Sequence, residues 1–311
     1  MPEKIHSQNP VILDTDPGID DAVALIVLHH FCPEQVKLIL TSYGNISVDK
    51  TTNNALTMCS LLNWDVPVVR GSSAPEPREA GMPHLEDAAH IHGADGLGGL
   101  SLSFPEGAAF EGDFLQKTYD TIRALGKVDY ITLGPLTNLA LLMKRFPDVT
   151  GSIGQIVSMG GGIGLGNATP TAEFNIHCDP ISADYVFRTA GQLTLVPLNT
   201  TNHVAFSLED IHRMAARNTP VSLAMEKILT ANYHSCVRYG EKGSTMHDST
   251  AVLCWMFPWL FCARQCGITA ECGEFFGRTV LTDRRDNVLL TGEAETERIL
   301  SLIEESVEER P

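Results

Sequence analysis

The sequence has little positive charge, few aromatic residues and no apolar run long enough to cross a membrane. Lys and Arg number 22 against 38 Asp and Glu, and the formal net charge of −16 disfavours binding to a nucleic-acid backbone. The most apolar stretch, AVLCWMFPWLFCA, covers only residues 251–263 and is interrupted by Pro258. We therefore expect a protein with neither nucleic-acid nor membrane partners.

Paired cysteines and an export signal are also lacking. The eight cysteines are scattered, and none belongs to a CxxC pair of the kind that binds zinc. The opening residues, MPEKIHSQNP, contain no apolar segment typical of a signal peptide. We expect reduced thiols and a cytoplasmic enzyme, and neither a disulfide scaffold nor a zinc ribbon.

Short β-rich runs alternate with longer helical runs along the chain. VILDT is followed by DDAVALIVLHHF, and VKLILTSYG by VDKTTNNALTMCSLLN. This order predicts an α/β fold with an open, mostly parallel Rossmann-like sheet flanked by helices. No linker or repeat divides the chain, so residues 1–311 are predicted to form a single domain. Two irregular stretches, 71–113 and 160–178, are predicted to be active-site loops because compact domains seldom carry such long loops otherwise.

The polar segments that follow the strands should meet at one edge of this sheet. In open α/β sheets, ligands bind outside the carboxyl ends of the strands. The turn after the strand at 128–134 can also leave the carbonyl of Leu133 pointing outward. The five segments expected to converge are DTDPGIDD (14–21), YGN (43–45), LGPLTN (133–138), MGGGIGLGNATPTAEFNIH (159–177) and MHD (246–248).

Four aspartates, Asp14, Asp16, Asp20 and Asp21, lie where the first strand meets the first helix. Helix capping would account for Asp20 or Asp21, but not for Asp14 and Asp16, which precede the turn. Several carboxylates converging in one turn suit a hard divalent cation such as Ca²⁺ or Mg²⁺. Neither Cys nor His occurs here at zinc spacing. We therefore favour a metal site over a capping cluster.

The glycine-rich run MGGGIGLGN lacks the Lys-Ser/Thr ending of a phosphate-binding loop. It precedes Asn167, Glu173 and Asn175, whose side chains can hydrogen-bond the vicinal hydroxyls of a sugar, although asparagine is also a common turn former. Two histidines, His92 and His247, are candidates either for structural roles or for general acids near neutral pH. These residues indicate a sugar-containing ligand beside the carboxylates.

Six blocks of sequence occur in a recognisable order. They are DTDPGIDD, YGNIS, HGADGLGG, LGPLTNLA, MGGGIGLGNATPTAEFN and MHDSTAV. Together they resemble the nucleoside hydrolase family, most closely its inosine–uridine-preferring branch, over nearly the whole chain. The resemblance implies hydrolysis of the N-glycosidic bond of inosine, uridine and, as a third candidate, cytidine, to ribose and free base. It also implies a tightly bound Ca²⁺, a role in purine and pyrimidine salvage, and a homodimer or homotetramer.

The same resemblance implies a role for individual residues. Asp16, Asp21 and Asp248 would bind Ca²⁺ through their side chains, with the Leu133 carbonyl as a further ligand. Asp16 would also take the proton from the attacking water, and Asn45 would lie beside the metal and assist catalysis. The residues implied to contact the ribose or the base are Asp20, His92, Met159, Asn167, Glu173 and Asn175.

The leaving base also needs a proton, and His247 fits the leaving-group acid of the inosine–uridine branch. The purine-specific branch resembles the chain less well, because it sandwiches the base between tryptophans. Here the tryptophans lie in a connection and in the apolar helix, where core packing is the commoner use. Tyr233 and Tyr239 could close over the base or anchor a surface helix, and the motifs leave the preferred base open.

Two other classes of function stay open at this point. A strand ending in DTD also occurs in phosphohydrolases of the haloacid dehalogenase type. Gly18, however, stands where that family has an apolar residue or Thr, and no matching Lys or late acidic pair is evident. A non-catalytic ribose- or nucleoside-binding protein could use the same scaffold. Binding alone would not require both a water-activating carboxylate and His247.

Overall fold

The computed structural model describes residues 5–76, 88, 91, 93, 95–100, 109–283 and 288–308. In these residues a nine-stranded sheet and a two-stranded ribbon, β7–β8, carry helices around them, which confirms the predicted α/β class. The strands are β1 Val11–Thr15, β2 Val36–Thr41, β3 Val68–Arg70, β4 Val128–Thr132, β5 Ile153–Met159, β6 Leu193–Val196, β7 Ala205–Phe206, β8 Ser244–Thr245, β9 Phe261–Ala270, β10 Thr279–Thr282 and β11 Val288–Ala294.

Helices connect most of these strands, as the strand–helix alternation predicts. They are α1 Ile19–Phe31, α2 Val48–Leu61, α3 Phe114–Leu125, α4 Thr137–Arg145, α5 Phe174–Cys178, α6 Pro180–Thr189, α7 Leu198–Thr201, α8 Leu208–Ala215, α9 Pro220–Arg238, α10 Asp248–Met256 and α11 Thr296–Glu305.

The large sheet has the strand order β10-β9-β11-β6-β5-β4-β1-β2-β3. Seven adjacent strands, from β11 to β3, are parallel to one another. In the described part of this sheet, the antiparallel pairs are those of β9, with β11 on one side and β10 on the other. Strand β1 lies between β2 and β4, so the connections leave it in opposite directions and open a crevice at its carboxyl end.

Two apolar cores lie on the two faces of the sheet. The larger packs α1, α9, α10 and α11 against one face, and the smaller packs α4 and α6 against the other. Helix α1 is buried continuously from Ile19 to Leu28, and all nine residues of α10 are buried. A helix that is apolar all round belongs inside a protein. Both helices begin at the crevice, so their positive dipole ends point toward it.

Several element boundaries differ from the sequence-based expectation. The helix that follows the turn LGP begins at Thr137, two residues after Pro135. The stretch 160–178, predicted to be irregular, ends in the short helix α5. The apolar helix ends before its proline, as predicted, and a 3₁₀ turn, Pro258–Leu260, follows. Within the described residues, no helix combines the length and apolarity that crossing a membrane requires.

Candidate active site

The turn between β1 and α1 is organised by the side chain of Asp21. Its Oδ1 accepts hydrogen bonds from the Thr15 hydroxyl at 2.5 Å and from the Asp16 backbone N–H at 3.2 Å. Its Oδ2 accepts from the Gly18 backbone N–H at 3.0 Å and from Asn45 Nδ2 at 3.0 Å. Asp21 therefore caps the first turn of α1, where the helix dipole favours a negative charge.

Asp16 is buried where the ends of three strands meet. Its Oδ2 accepts a 2.7 Å hydrogen bond from the Asn45 backbone N–H, and Asn45 Nδ2 donates to the Asp16 carbonyl oxygen at 3.1 Å. A Cβ on Gly44 would lie 2.0 Å from Asp16 Oδ2, and one on Gly134 would lie 2.5 Å from Oδ1. Glycine at both positions thus lets the loops after β2 and β4 close around this carboxylate.

Asp20 joins the first turn of α1 to the start of α10. Its Oδ2 accepts hydrogen bonds from the backbone N–H groups of His247 at 2.7 Å and Asp248 at 3.0 Å. Its Oδ1 is buried and has no hydrogen-bond partner among the described residues. An unpaired buried carboxylate oxygen is costly, and in native proteins it commonly marks a place that a ligand, an ion or water completes.

These carboxylates share one buried, negatively charged region. Burial raises the pKa of Asp20 to about 8. Burial, followed by the charge of Asp21, raises the pKa of Asp16 well above its usual range. Burial and then the charges of the other three raise the pKa of Asp248 in the same way. In the described part of the chain, no ion pair brings Lys or Arg to any of them. Joint ionisation therefore requires a positive charge from elsewhere.

The donor chemistry of this region fits a divalent cation that prefers oxygen. Asp16, Asp21 and Asp248 supply carboxylates from two helix N-termini and a strand end, and the free Asp20 Oδ1 lies beside them. As the side chains stand, no group of three or more His, Cys, Asp or Glu in the described residues is arranged to hold a metal ion. Hydrogen bonds from the chain occupy both oxygens of Asp21.

The segment after β5 is tied together by Glu173 and Asn175. Glu173 caps α5: its Oε1 accepts from the Asn175 N–H at 2.9 Å, and its Oε2 accepts from the N–H groups of Gly161 at 2.8 Å and Ile176 at 3.1 Å. Burial raises the pKa of Glu173. The backbone donors oppose this rise because they stabilise the ionised carboxylate.

Asn175 links this segment to the ends of two strands. Its Nδ2 donates to the Leu133 carbonyl at 2.6 Å and to the Met159 carbonyl at 3.3 Å. The Leu133 carbonyl, predicted to be a metal ligand, is therefore hydrogen-bonded to Asn175. Asn167 is exposed, and its Oδ1 accepts a 2.8 Å hydrogen bond from the Phe174 N–H. The structure thus places Asn175 and Met159 in contact, with Asn167 at the outer end of the same loop.

His247 is the residue before α10 and is partly buried. Its Nδ1 lies 2.7 Å from the hydroxyl of Thr201, at the end of α7. Burial lowers the pKa of the imidazole, and the charge of Glu241 opposes this effect. Because Nδ1 faces Thr201, Nε2 is the ring nitrogen left for another partner.

A sequence profile described as inosine-uridine preferring nucleoside hydrolase matches residues 11–305. The chain belongs to the nucleoside hydrolase family. It is therefore an N-ribohydrolase, which confirms the resemblance carried by the six sequence blocks. The haloacid dehalogenase alternative is not favoured.

Individual relatives of this nucleoside hydrolase differ in the base that their names specify. A pyrimidine-specific ribonucleoside hydrolase RihA from Shewanella sp. (strain ANA-3) is 38% identical over 94% of this chain and 91% of its own. The RihA of Salmonella paratyphi A is 33% identical over 96% of this chain and 98% of its own. The solved structure of a purine-preferring ribonucleoside hydrolase from Gardnerella vaginalis has a TM-score of 0.90 at 25% identity, covering 96% of this chain and 98% of that one.

Some predicted positions of the nucleoside hydrolase lie outside the described residues. His92 is among them, as is most of the loop 71–90. Both tyrosines are described: Tyr233 packs against the larger core, and Tyr239, the residue after α9, is 59% exposed. Tyr239 is thus the more available of the two for a contact outside the core.

Sequence reasoning missed Thr201, the hydroxyl partner of His247. The signal was present, because Thr201 follows the carboxyl end of β6 in the segment PLNTT. The rule that collected the polar residues after the other parallel strands applies to β6 as well. A buried threonine is otherwise inconspicuous in a sequence, since it is also a common packing residue.

Proposed function

We propose that this protein hydrolyses the N-glycosidic bond of pyrimidine ribonucleosides, releasing ribose and the free base. One observation carries the assignment of the reacting centre: Asp16, Asp20 and Asp248 are buried together where α1 and α10 begin, with no cationic side chain paired to them in the described residues. The identity to RihA proteins over nearly the full length supports the pyrimidine preference. Purine ribonucleosides are the second candidate substrates, supported by the similarity to the Gardnerella enzyme.

The proposed metal is Ca²⁺, held by Asp16, Asp21 and Asp248, with the Leu133 carbonyl as a candidate further ligand. When bound, Ca²⁺ supplies positive charge that offsets the clustered carboxylates and increases the acidity of water. Asp16 is the proposed base, because its carboxylate is buried between the three strand ends and is held there by the Asn45 N–H. Its task is to accept the proton of the attacking water.

The sugar is proposed to lie over the carboxylates. Asp20 Oδ1, buried and without a partner among the described residues, is suited to accept a hydrogen bond from a ribose hydroxyl. Asn167, Glu173 and Asn175 would complete the polar side of the ribose pocket, with Met159 as its apolar lining. Glycoside hydrolysis passes through an oxocarbenium-like transition state, and preorganised carboxylates stabilise its developing positive charge.

The leaving base gains negative charge as the bond breaks. His247 is proposed to donate a hydrogen bond from Nε2 to this base, because its Nδ1 is directed at Thr201. His92 and the exposed Tyr239 are further candidates for contacts with the base. A neutral imidazole with hydrogen on Nε2 can make such a donation.

A direct assay tests the proposal. Purified protein with Ca²⁺ is incubated with uridine, cytidine or inosine, and the release of reducing sugar is followed. We expect kcat/KM for uridine or cytidine to exceed that for inosine by about tenfold or more, the scale at which pocket contacts discriminate. A higher kcat/KM for inosine would favour purine ribonucleosides as the substrates. Nucleoside binding without ribose release from any substrate would identify a non-catalytic binding protein and refute the proposal.

Metal content and assembly are tested on the same preparation. Elemental analysis should find about one Ca²⁺ per chain, since one carboxylate cluster is proposed to hold it. Zinc in its place would contradict the ligand assignment. We also propose a cytoplasmic homodimer or homotetramer built from single-domain chains. Light scattering should then give two or four times the mass of the chain, and a monomer would refute that part.

A further inference from the structure

His247 is held by different parts of the chain at two points, its backbone N–H and its imidazole ring. Its backbone N–H donates to Asp20 Oδ2 at 2.7 Å, which fixes the backbone just before α10. Its Nδ1 lies 2.7 Å from the Thr201 hydroxyl, which fixes the rotation of the ring. Thr201 is fully buried, and it ends the short helix α7 that follows β6. With the backbone and the ring each held by a hydrogen bond, Nε2 points in one direction.

The contact between Thr201 and His247 has two possible polarities. A threonine hydroxyl can donate to a bare Nδ1, in which case the neutral ring carries its hydrogen on Nε2. It can instead accept from Nδ1–H, which leaves Nε2 without a hydrogen. In a neutral ring, only the first arrangement lets Nε2 donate to a departing base. The choice between the two tautomers therefore decides what Nε2 of the neutral ring can do.

We propose that Thr201 is a positioning residue that donates its hydroxyl hydrogen to His247 Nδ1 and thereby holds the ring as the tautomer with hydrogen on Nε2. This inference rests on the proposed role of His247 toward the leaving base. Thr201 is proposed to touch neither substrate nor metal. It acts through the ring, as the orienting partner of a catalytic or metal-bound histidine does in other sites.

The neighbouring threonine supplies a matched control. Thr200 lies on the same helix, is also buried, and uses its hydroxyl in a 2.8 Å hydrogen bond to the Thr291 hydroxyl on β11. Thr200→Val and Thr201→Val each remove one buried hydroxyl from α7 at constant shape. Only Thr201→Val removes the partner of His247, so a general loss of packing or stability would affect both variants alike.

The kinetic test compares a natural nucleoside with a p-nitrophenyl riboside, whose leaving group departs without a proton. Thr201→Val should lower kcat for uridine by about 10- to 100-fold and change kcat for the p-nitrophenyl riboside by less than about threefold. A hydrogen bond to the leaving group speeds the reaction only when that group is unstable as an anion, and p-nitrophenolate is stable. KM should change little for either substrate. Thr201→Ser keeps the hydroxyl and should retain uridine turnover within about threefold of the parent.

The tautomer itself is read by NMR on the unsubstituted protein labelled with ¹⁵N-histidine, with His247→Ala identifying the resonances. We expect a protonated Nε2 and a bare Nδ1. Hydrogen on Nδ1 would overturn the inference, and so would equal losses on both substrates in Thr201→Val or an equal defect in Thr201→Ser. If His247→Ala itself lowers both substrates equally, the proposed role of His247 fails first. If His247→Ala is selective and Thr201→Val is not, only the role of Thr201 fails.

Discussion

Asp14 and Asp16 lie two residues apart at the end of β1, yet their surroundings are opposite in kind. Asp14 is fully buried on the side of the smaller core. Its Oδ2 accepts from the Tyr130 hydroxyl at 2.8 Å, and its Oδ1 accepts from Asn138 Nδ2 at 2.9 Å. Burial raises its pKa to about 7, and both donors oppose that rise. Each oxygen of this carboxylate has a neutral partner within the chain.

Asp16 instead lies among other carboxylates. Burial and the nearby charge of Asp21 raise its pKa, and the charges of Asp16, Asp20 and Asp21 together act on Asp248. The comparison shows that proximity in sequence does not define the acidic site. Neutral donors satisfy both oxygens of Asp14, whereas Asp16, Asp21 and Asp248 act on one another through their charges and need positive charge to ionise together.

Substitution of Asp16 should give the largest effect. Asp16→Ala removes both the proposed base and a metal ligand, and we expect kcat to fall by about 10³-fold or more while the far-ultraviolet circular dichroism is unchanged. The neighbouring Asp14 would be untouched. If the purified variant kept about a tenth of the parental kcat, Asp16 could not be the base.

Removal of the metal should affect the carboxylates around Asp16 and leave Asp14 unaffected. Dialysis against a chelator should lower turnover by about 10²-fold or more, and added Ca²⁺ should restore it. Ca²⁺ at about 100 times its dissociation constant should stabilise the fold by about 2.7 kcal/mol, measured as a rise in Tm. Asp248→Asn should weaken that rise. A rise of equal size in this variant would place the ion elsewhere.

His247→Ala should have an intermediate effect that depends on the leaving group. We expect kcat for uridine to fall by about 10²-fold, the usual cost of removing one positioned hydrogen-bond donor to a developing negative charge. The p-nitrophenyl riboside should lose less than about threefold, since its leaving group is stable as an anion. His203 has none of the site contacts given above and serves as the control. His203→Ala should leave kcat for both substrates near the parental values.

Much of the site could be predicted from the sequence because parallel strands deliver their carboxyl ends to one edge. That rule predicted that the segments containing these residues meet, and the structure has Asn45 hydrogen-bonded to Asp16 and Asn175 to Leu133. The rule could not separate Asp14 from Asp16. The surroundings of a side chain at the end of a strand, including its hydrogen-bond donors, depend on neighbouring strands that are distant in sequence.

Other features depended equally on long-range packing. Strand β9 pairs antiparallel with β10 and β11 at one edge of an otherwise parallel sheet, and no local pattern in the sequence indicated this change of direction. The contact between Thr201 and His247 joins residues 46 positions apart. Helix caps such as Glu173 at α5 were also missed, because the same carboxylate suggested a sugar-binding group.

The smallest effect on turnover should come from a substitution beside Asp14. Tyr130→Phe removes the hydroxyl that donates to Asp14 Oδ2 and leaves that buried oxygen one partner short. We expect the free energy of unfolding, measured in urea, to fall by about 1–3 kcal/mol, and kcat to stay within about threefold of the parental value.

Tyr119→Phe provides the matched control for that change. Its hydroxyl also donates to a carboxylate, Asp148, at 2.6 Å, but this contact is exposed. Water can replace the lost partner there, so the cost in unfolding free energy should stay below about 0.5 kcal/mol. Equal costs for Tyr130→Phe and Tyr119→Phe would mean that water reaches Asp14. A tenfold loss of kcat in Tyr130→Phe would mean that Asp14 belongs to the reacting centre, and the division between the two aspartates would then fail.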